Sequence, residues 1–248
     1  MNVYSLMKIG KDQYPRLENL RLTMHRYAPL TTCIVDLQDP DGALYEKIAV
    51  ETPVDIEMGY RLGLSFQWGG TIRTKEKDAD RLRLYCVGLE QVLETEVKQV
   101  WLNEQPGKII QQMVENTGFG VGRLQTTGLT IPRFVVHNKP IWEAERLLQK
   151  TMDTYGVDTT KLALWIGADH LVQWGTHDES GQIEIVSGEN MIAYCQNEVT
   201  ALLTPNLRAS QRVHVVAPGV DKVYRAVRVV HEIGKKSRTF VQVEETDG

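Results

Sequence analysis

The chain has 248 residues, 42% of them hydrophobic and 24% charged, with a formal net charge of −4. This is the balance of an ordinary soluble globular chain, long enough to bury a core without disulfides or metals, and its mild acidity gives no support for a bulk electrostatic grip on nucleic acid. Cys33, Cys86 and Cys195 are odd in number and far apart, which argues against a disulfide framework or a zinc knuckle. No apolar run approaches the roughly 18 residues a membrane span needs. Residues Met1 to Gly10 lack a secretory pattern, so the expected place of synthesis is a cytoplasm.

From Thr31 to Leu89 the sequence alternates with a period of two, the mark of half-buried strands. Cys33, Val35 and Leu37 share a face; Pro40, Asp41 and Gly42 then supply a turn. Ile48 and Val50 continue the alternation, followed by Val54, Ile56 and Met58. Leu62, Leu64, Phe66 and Trp68 form the longest row, which Gly69 and Gly70 interrupt as at a bulge or bend. Leu82, Leu84 and Cys86 make the next row. Near Trp101 the period changes. Pro106 opens a helix carrying Ile109, Ile110, Met113 and Val114, with Gly118 as its stop. Pro140 fits the first position of a second helix, whose apolar stripe runs Ile141, Ala144, Leu147, Leu148, Met152 and Tyr155, with Gly156 as cap. A hairpin follows between Leu162 and Trp174, turning near Gly167, Ala168 and Asp169. Strand patterns return at Ile183 and Ile185, Val213 and Val215, Val227 and Val229, and Val241 and Val243.

The motifs that carry chemistry elsewhere are incomplete here. Gly118-Phe119-Gly120-Val121-Gly122 follows a helix at the wrong spacing for a dinucleotide loop, so a plain loop is expected. Asp36, Asp39 and Asp41 precede Gly42, but a calcium hand needs further oxygen ligands and a distal Glu; a turn is expected. His170 and His177 have no second His at helical spacing. Asp178, Glu179, Ser180 and Gly181 place His177 at a hairpin tip, and His231 lies in an apolar strand as a packed or interface residue. Lys235, Lys236 and Arg238 form a basic turn, a solvated tip or a contact with an acidic neighbour. Trp68, Trp101 and Trp142 suit core or interface positions. There is no G-x-S-x-G elbow, P-loop or C-x-x-C pair. No catalytic, cofactor-binding or metal residue is therefore assigned, and no cofactor is expected.

Three stretches carry a family resemblance. In Val54 to Ile72 a strand ending at Gly59 leads to Phe66-x-x-Gly69-x-x-Ile72 and then to the strand Leu82 to Leu89. Pro140 to Gly156 is an amphipathic helix just before a hairpin. Thr204-Pro205-Asn206-Leu207-Arg208, Gln211-x-Val213, Val227-x-x-Val230-His231 and Thr239-Phe240-Val241 make up the third. In this order the chain resembles the tail and baseplate hub proteins of contractile-tailed bacteriophages, the late-control-D-like family, with one extra residue between Phe66 and Gly69.

The resemblance implies a mainly β fold: two small antiparallel tail-tube-like β-barrels flanking an α/β insert. The expected divisions are residues 1–98, 99–174 and 175–248. It implies a homotrimeric ring in the virion tail that joins the tail tube protein to the central spike protein among other baseplate proteins. A non-enzymatic structural role is expected. The rival readings are a cell-wall-degrading tail enzyme, which needs a carboxylate pair or metal cluster in a cleft, and a carbohydrate-binding β-protein with aromatics around one pocket.

Overall fold

The computed structural model describes residues 3–15, 17–26, 28–60, 66–160, 162–167, 169–176 and 182–245. Leu62, Leu64, Ala168 and residues 177–181, the expected hairpin tip, lie outside them. The chain divides into two compact units, Met1–Gly88 with Glu179–Gly248, and Leu89–Asp178. The three segments expected from the sequence thus become two units, because both flanking β segments feed one core. The middle unit starts before residue 99: Leu93 and Val97 already pack in the second core.

The first segment runs β1 (Tyr4–Ile9), β2 (Asp12–Tyr14), β3 (Asn19–His25), β4 (Ala28–Gln38), α1 (Ala43–Lys47), β5 (Pro53–Gly59), β6 (Phe66–Asp78) and β7 (Arg81–Gly88). Cys33, Val35 and Leu37 on β4, and Leu82, Leu84 and Cys86 on β7, face the core as their alternation requires. Ile48 and Val50 are not strand residues: Ile48 caps α1 and is buried, whereas Val50 is exposed. Gly69 and Gly70 do not break the strand either. β6 runs straight through them and its register shifts only between Ile72 and Thr74. Gly70 serves close approach instead, since a Cβ there would stand 2.3 Å from the Val87 carbonyl oxygen.

The middle unit begins with a 3₁₀ turn, Leu89–Glu94, then β8 (Glu96–Glu104), α2 (Pro106–Glu115), β9 (Val121–Leu124), β10 (Ile131–Pro140), α3 (Ile141–Thr154), β11 (Leu162–Ile166) and β12 (Val172–Thr176). Both helices stand where the periodicity puts them, with Pro140 as the N-cap of α3 rather than its first residue. Tyr155, expected in the apolar stripe, is instead exposed one residue past the end of α3. β11 and β12 form the expected antiparallel hairpin, and β9 adds to β12 in parallel. β8 and β10 pair as a separate two-stranded sheet.

The last segment supplies β13 (Ile183–Val186), β14 (Met191–Cys195), β15 (Glu198–Leu202), β16 (Arg212–Ala217), β17 (Val220–Ile233) and β18 (Arg238–Glu245). β17 is the joint of the unit. Its first half pairs with β16, and past a register shift at Val227 its second half, Arg228 to Ile233, pairs with His25 to Leu20 of β3. The hydrogen-bonded path is therefore continuous: β14-β15-β18-β17-β3-β4-β7-β6-β5-β1-β2, with β16 also on β17 and β13 on β16. The fold is mainly β with few helices. In place of two separate closed barrels, the strands of the two flanking segments form one 13-stranded sheet, and no ladder among the described residues joins its ends.

Candidate functional site

The three aspartates before Gly42 are used by the fold. Asp36 accepts from Arg83 through two bonds, Nε at 2.7 Å and Nη2 at 3.0 Å, and from Asn19. The Arg83 hydrogen bonds hold its carboxyl below the usual carboxylate range. Asp39 is buried and accepts from the Leu44 and Tyr45 amides at 2.9 and 2.8 Å, satisfying two open N–H groups of α1. Asp41 accepts from the Ala43 amide. At the other end of α1, Lys75 donates to the Tyr45 and Ile48 carbonyls and lies over the Tyr45 ring. These contacts hold a five-residue helix where the sequence suggested a turn and a strand.

The glycine-rich stretch is likewise structural. Gly118 takes a left-handed φ after α2. Gly120 and Gly122 let Leu171 and Gln173 lie against the start of β9, where a Cβ would stand 2.5 and 2.2 Å from them. Gln173 is buried, accepts from the Arg123 amide and donates to Asp169. His170 is exposed at a turn with φ 61°. Among the described residues, no group of three or more His, Cys, Asp or Glu side chains is arranged to hold a metal ion.

Two buried ionisable groups anchor the units. His231 on β17 is fully enclosed; its Nε2 donates to the Leu207 carbonyl and its Nδ1 accepts from Thr239 Oγ1, both at 2.9 Å. Thr239 Oγ1 in turn accepts from the Thr204 amide. Burial pushes the imidazole down to about 4. The Phe66 ring lies 5.8 Å from the His231 ring, centroid to centroid, and Arg208 stands over the Phe66 ring at 4.2 Å. The resemblance segments around Phe66, Arg208 and His231 therefore meet in one cluster. In the middle unit Glu145 on α3 accepts from Trp174 Nε1 at 3.0 Å and from Gln149. Burial raises its carboxyl to about 7. Sequence reasoning passed over Glu145. The available signal was a Glu inside an apolar stripe, between Ala144 and Leu148.

Two open grooves lie on the surface of the described residues. One, of about 210 Å³, lies on the sheet over Val230 and Phe240, rimmed by Arg21, Arg228, Glu198 and Glu232. Another, of about 230 Å³, runs along α3 between Trp142, Arg146 and Lys150. Trp68 and Trp101 are buried, donating to Thr31 and Gln112, while Trp142 is half-buried under Arg146. Lys235 and Lys236 are exposed between β17 and β18. No described helix is long and apolar enough to cross a membrane.

No protein-family model and no curated protein sequence matches this chain. Solved structures do. A tail protein from Neisseria meningitidis MC58 superposes with TM-score 0.74 at 11% identity, over 99% of this chain and 97% of that one. The 43 kDa tail protein of prophage MuSo2 from Shewanella oneidensis gives 0.73 at 10%, over 98% and 97%. An E. coli component of the type VI secretion system, described as structurally similar to the T4 bacteriophage tail proteins gp27 and gp5, gives 0.66 at 9%, over 97% and 77%. The chain has the fold of these tail proteins.

Proposed function

We propose that this chain is a structural, non-enzymatic hub subunit of a phage or phage-like tail baseplate. The observation that carries the reading is the extent of the fold likeness: nearly the whole of this chain superposes on nearly the whole of two tail proteins, helical unit included. The residues with catalytic potential point the same way. The aspartates, His231 and Glu145 are occupied in holding the fold together, as described above.

In this reading the protein is a homotrimer in the virion tail. Each chain contributes two β-barrel-like positions, one built on β3 to β7 and one on β15 to β18. Three chains then present six positions to a sixfold tail tube protein on one face and meet a threefold central spike protein on the other. A closed ring leaves no sticking surface at its ends. The basic turn at Lys235 and Lys236 is a rim contact for a neighbouring baseplate protein. The chain binds no nucleic acid specifically.

Light scattering coupled to size exclusion tests the assembly, with the chain alone and then mixed with the tail proteins encoded beside it. A trimer in either case supports the reading; a monomer in both removes it. A cell-wall turbidity assay tests the non-enzymatic part, and clearing by the purified chain contradicts it.

A further inference from the structure

β8 and β10 have apolar side chains on both faces of a sheet that is only two strands wide. Trp101 and Phe134, opposite each other in the register, point into the core of the middle unit. On the other face Val100 stands opposite Val135, with Leu102 two residues along β8. These three are 52%, 48% and 65% exposed. Seven large hydrophobic side chains are exposed among the described residues, and three of them form this one patch. Strands apolar on both faces are the kind that are covered on both faces, and a contiguous exposed apolar patch marks an interaction site. Each strand also has one unpaired edge among the described residues.

The charge around the patch selects the partner. Lys98 precedes Val100 on the same face, and Arg133 lies opposite Leu102 and two residues from Val135. Both are exposed, and neither has a hydrogen bond or ion pair among the described residues. Beyond Leu102 the backbone turns at Asn103, φ 51°, so that Ile131, opposite Glu104, is buried. Glu104 bonds to the Gln105 amide at the start of α2. Glu96 lies farther off, past Lys98. The patch is thus bracketed by two cations. A second copy laid on it would bring two more cations against them, which disfavours self-pairing.

We propose that the outer face of β8 and β10 docks an extended apolar segment of another protein, flanked by carboxylates that meet Lys98 and Arg133. The apolar residues supply the contact and the cations fix its polarity. This surface is independent of the tail reading and stands or falls without it.

The test uses the isotope-labelled full chain and a short blocked peptide of alternating valine and threonine with glutamate at both ends, beside its lysine-ended counterpart. The expected result is amide shifts confined to residues 98–102 and 133–135 with the glutamate peptide. Binding of the lysine peptide should be roughly tenfold weaker, and the double variant Lys98→Glu, Arg133→Glu should reverse the preference. Both side chains are exposed, so the variant keeps its fold, which its unshifted remaining resonances verify. Absence of shifts at the patch overturns the proposal, as does equal binding of the two peptides. Self-association of the chain that Leu102→Gln abolishes also overturns it, because the occupant is then a second copy.

Discussion

His231 in the β-rich unit and Glu145 in the middle unit are both buried, yet they store opposite responses to protons. Burial outweighs the bond from His231 to the Leu207 carbonyl, so the fold favours the uncharged ring. Glu145 receives donors from Trp174 and Gln149, but burial outweighs them and the fold favours the protonated carboxyl. The difference follows from how each core is made. The β unit closes around His231 through strands from the two ends of the chain, with Leu22 opposite His231 in the register. The middle unit closes around Glu145 within a single stretch, where one helix lies on a hairpin that follows it closely. Non-local ladders and local helix packing should therefore respond differently to damage and to pH.

The largest effect should come from the local core. Leu148 is fully buried on α3, so Leu148→Asp combines a lost apolar contact with an unpaired buried charge and should cost about 5 kcal/mol. Hydrogen exchange resolves it: protection should vanish along α3 and persist on β17. In the β unit, Phe66→Ala removes the ring that contacts both His231 and Arg208. Its cost should be roughly 3–5 kcal/mol in a denaturant melt, and no loss would show that the two β segments do not share a core.

The pH dependence is the sharpest form of the comparison. The folded carboxyl of Glu145 titrates near 7 against a usual value of 4.5, so the folded state keeps a proton that the unfolded chain has lost. Its contribution to stability is full below about pH 4.5 and fades as pH rises to 7, a loss of roughly 3 kcal/mol. For His231 the folded value near 4 lies below the usual 6.5, and the unfolded chain binds the extra proton. Its contribution is full above pH 6.5 and fades as pH falls to 4, again by roughly 3 kcal/mol. Urea midpoints measured across this range should lose the first slope in Glu145→Gln and the second in His231→Gln. Identical slopes in both variants would refute the opposition. The smallest effect is expected at the tip of the β6–β7 hairpin, where Ala79 adopts φ 52°. Ala79→Asn should raise stability by about 0.5 kcal/mol, because asparagine tolerates that conformation better.

The sequence was most legible where structure is local. α2 and α3 announce themselves by a proline at the start, a glycine past the end and a helical stripe between. β4, β5 and β7 show alternation because one face is wet. β3 carries the same signal in Leu20, Leu22 and Met24. β8 and β10 were hidden for a physical reason: with apolar residues on both faces, Val100, Trp101 and Leu102 read as a run without a period. α1 was hidden because it is only five residues long and part of its support is distant, from Lys75 on β6, with Asp39 nearby at its other end. The joining of β17 to β3 pairs residues at opposite ends of the chain, which no local pattern encodes. The candidate site was legible mainly as an absence of complete motifs. The placement of Phe66, Arg208 and His231 in one cluster required the fold.

In the proposed hub the β-rich unit builds a ring. Electron microscopy of the chain mixed with its neighbouring tail proteins tests it most directly. A hub subunit should give a threefold ring carrying six similar β densities around its axis, two from each chain. Particles containing the chain without threefold symmetry, or a ring with a single β density per chain, would contradict it.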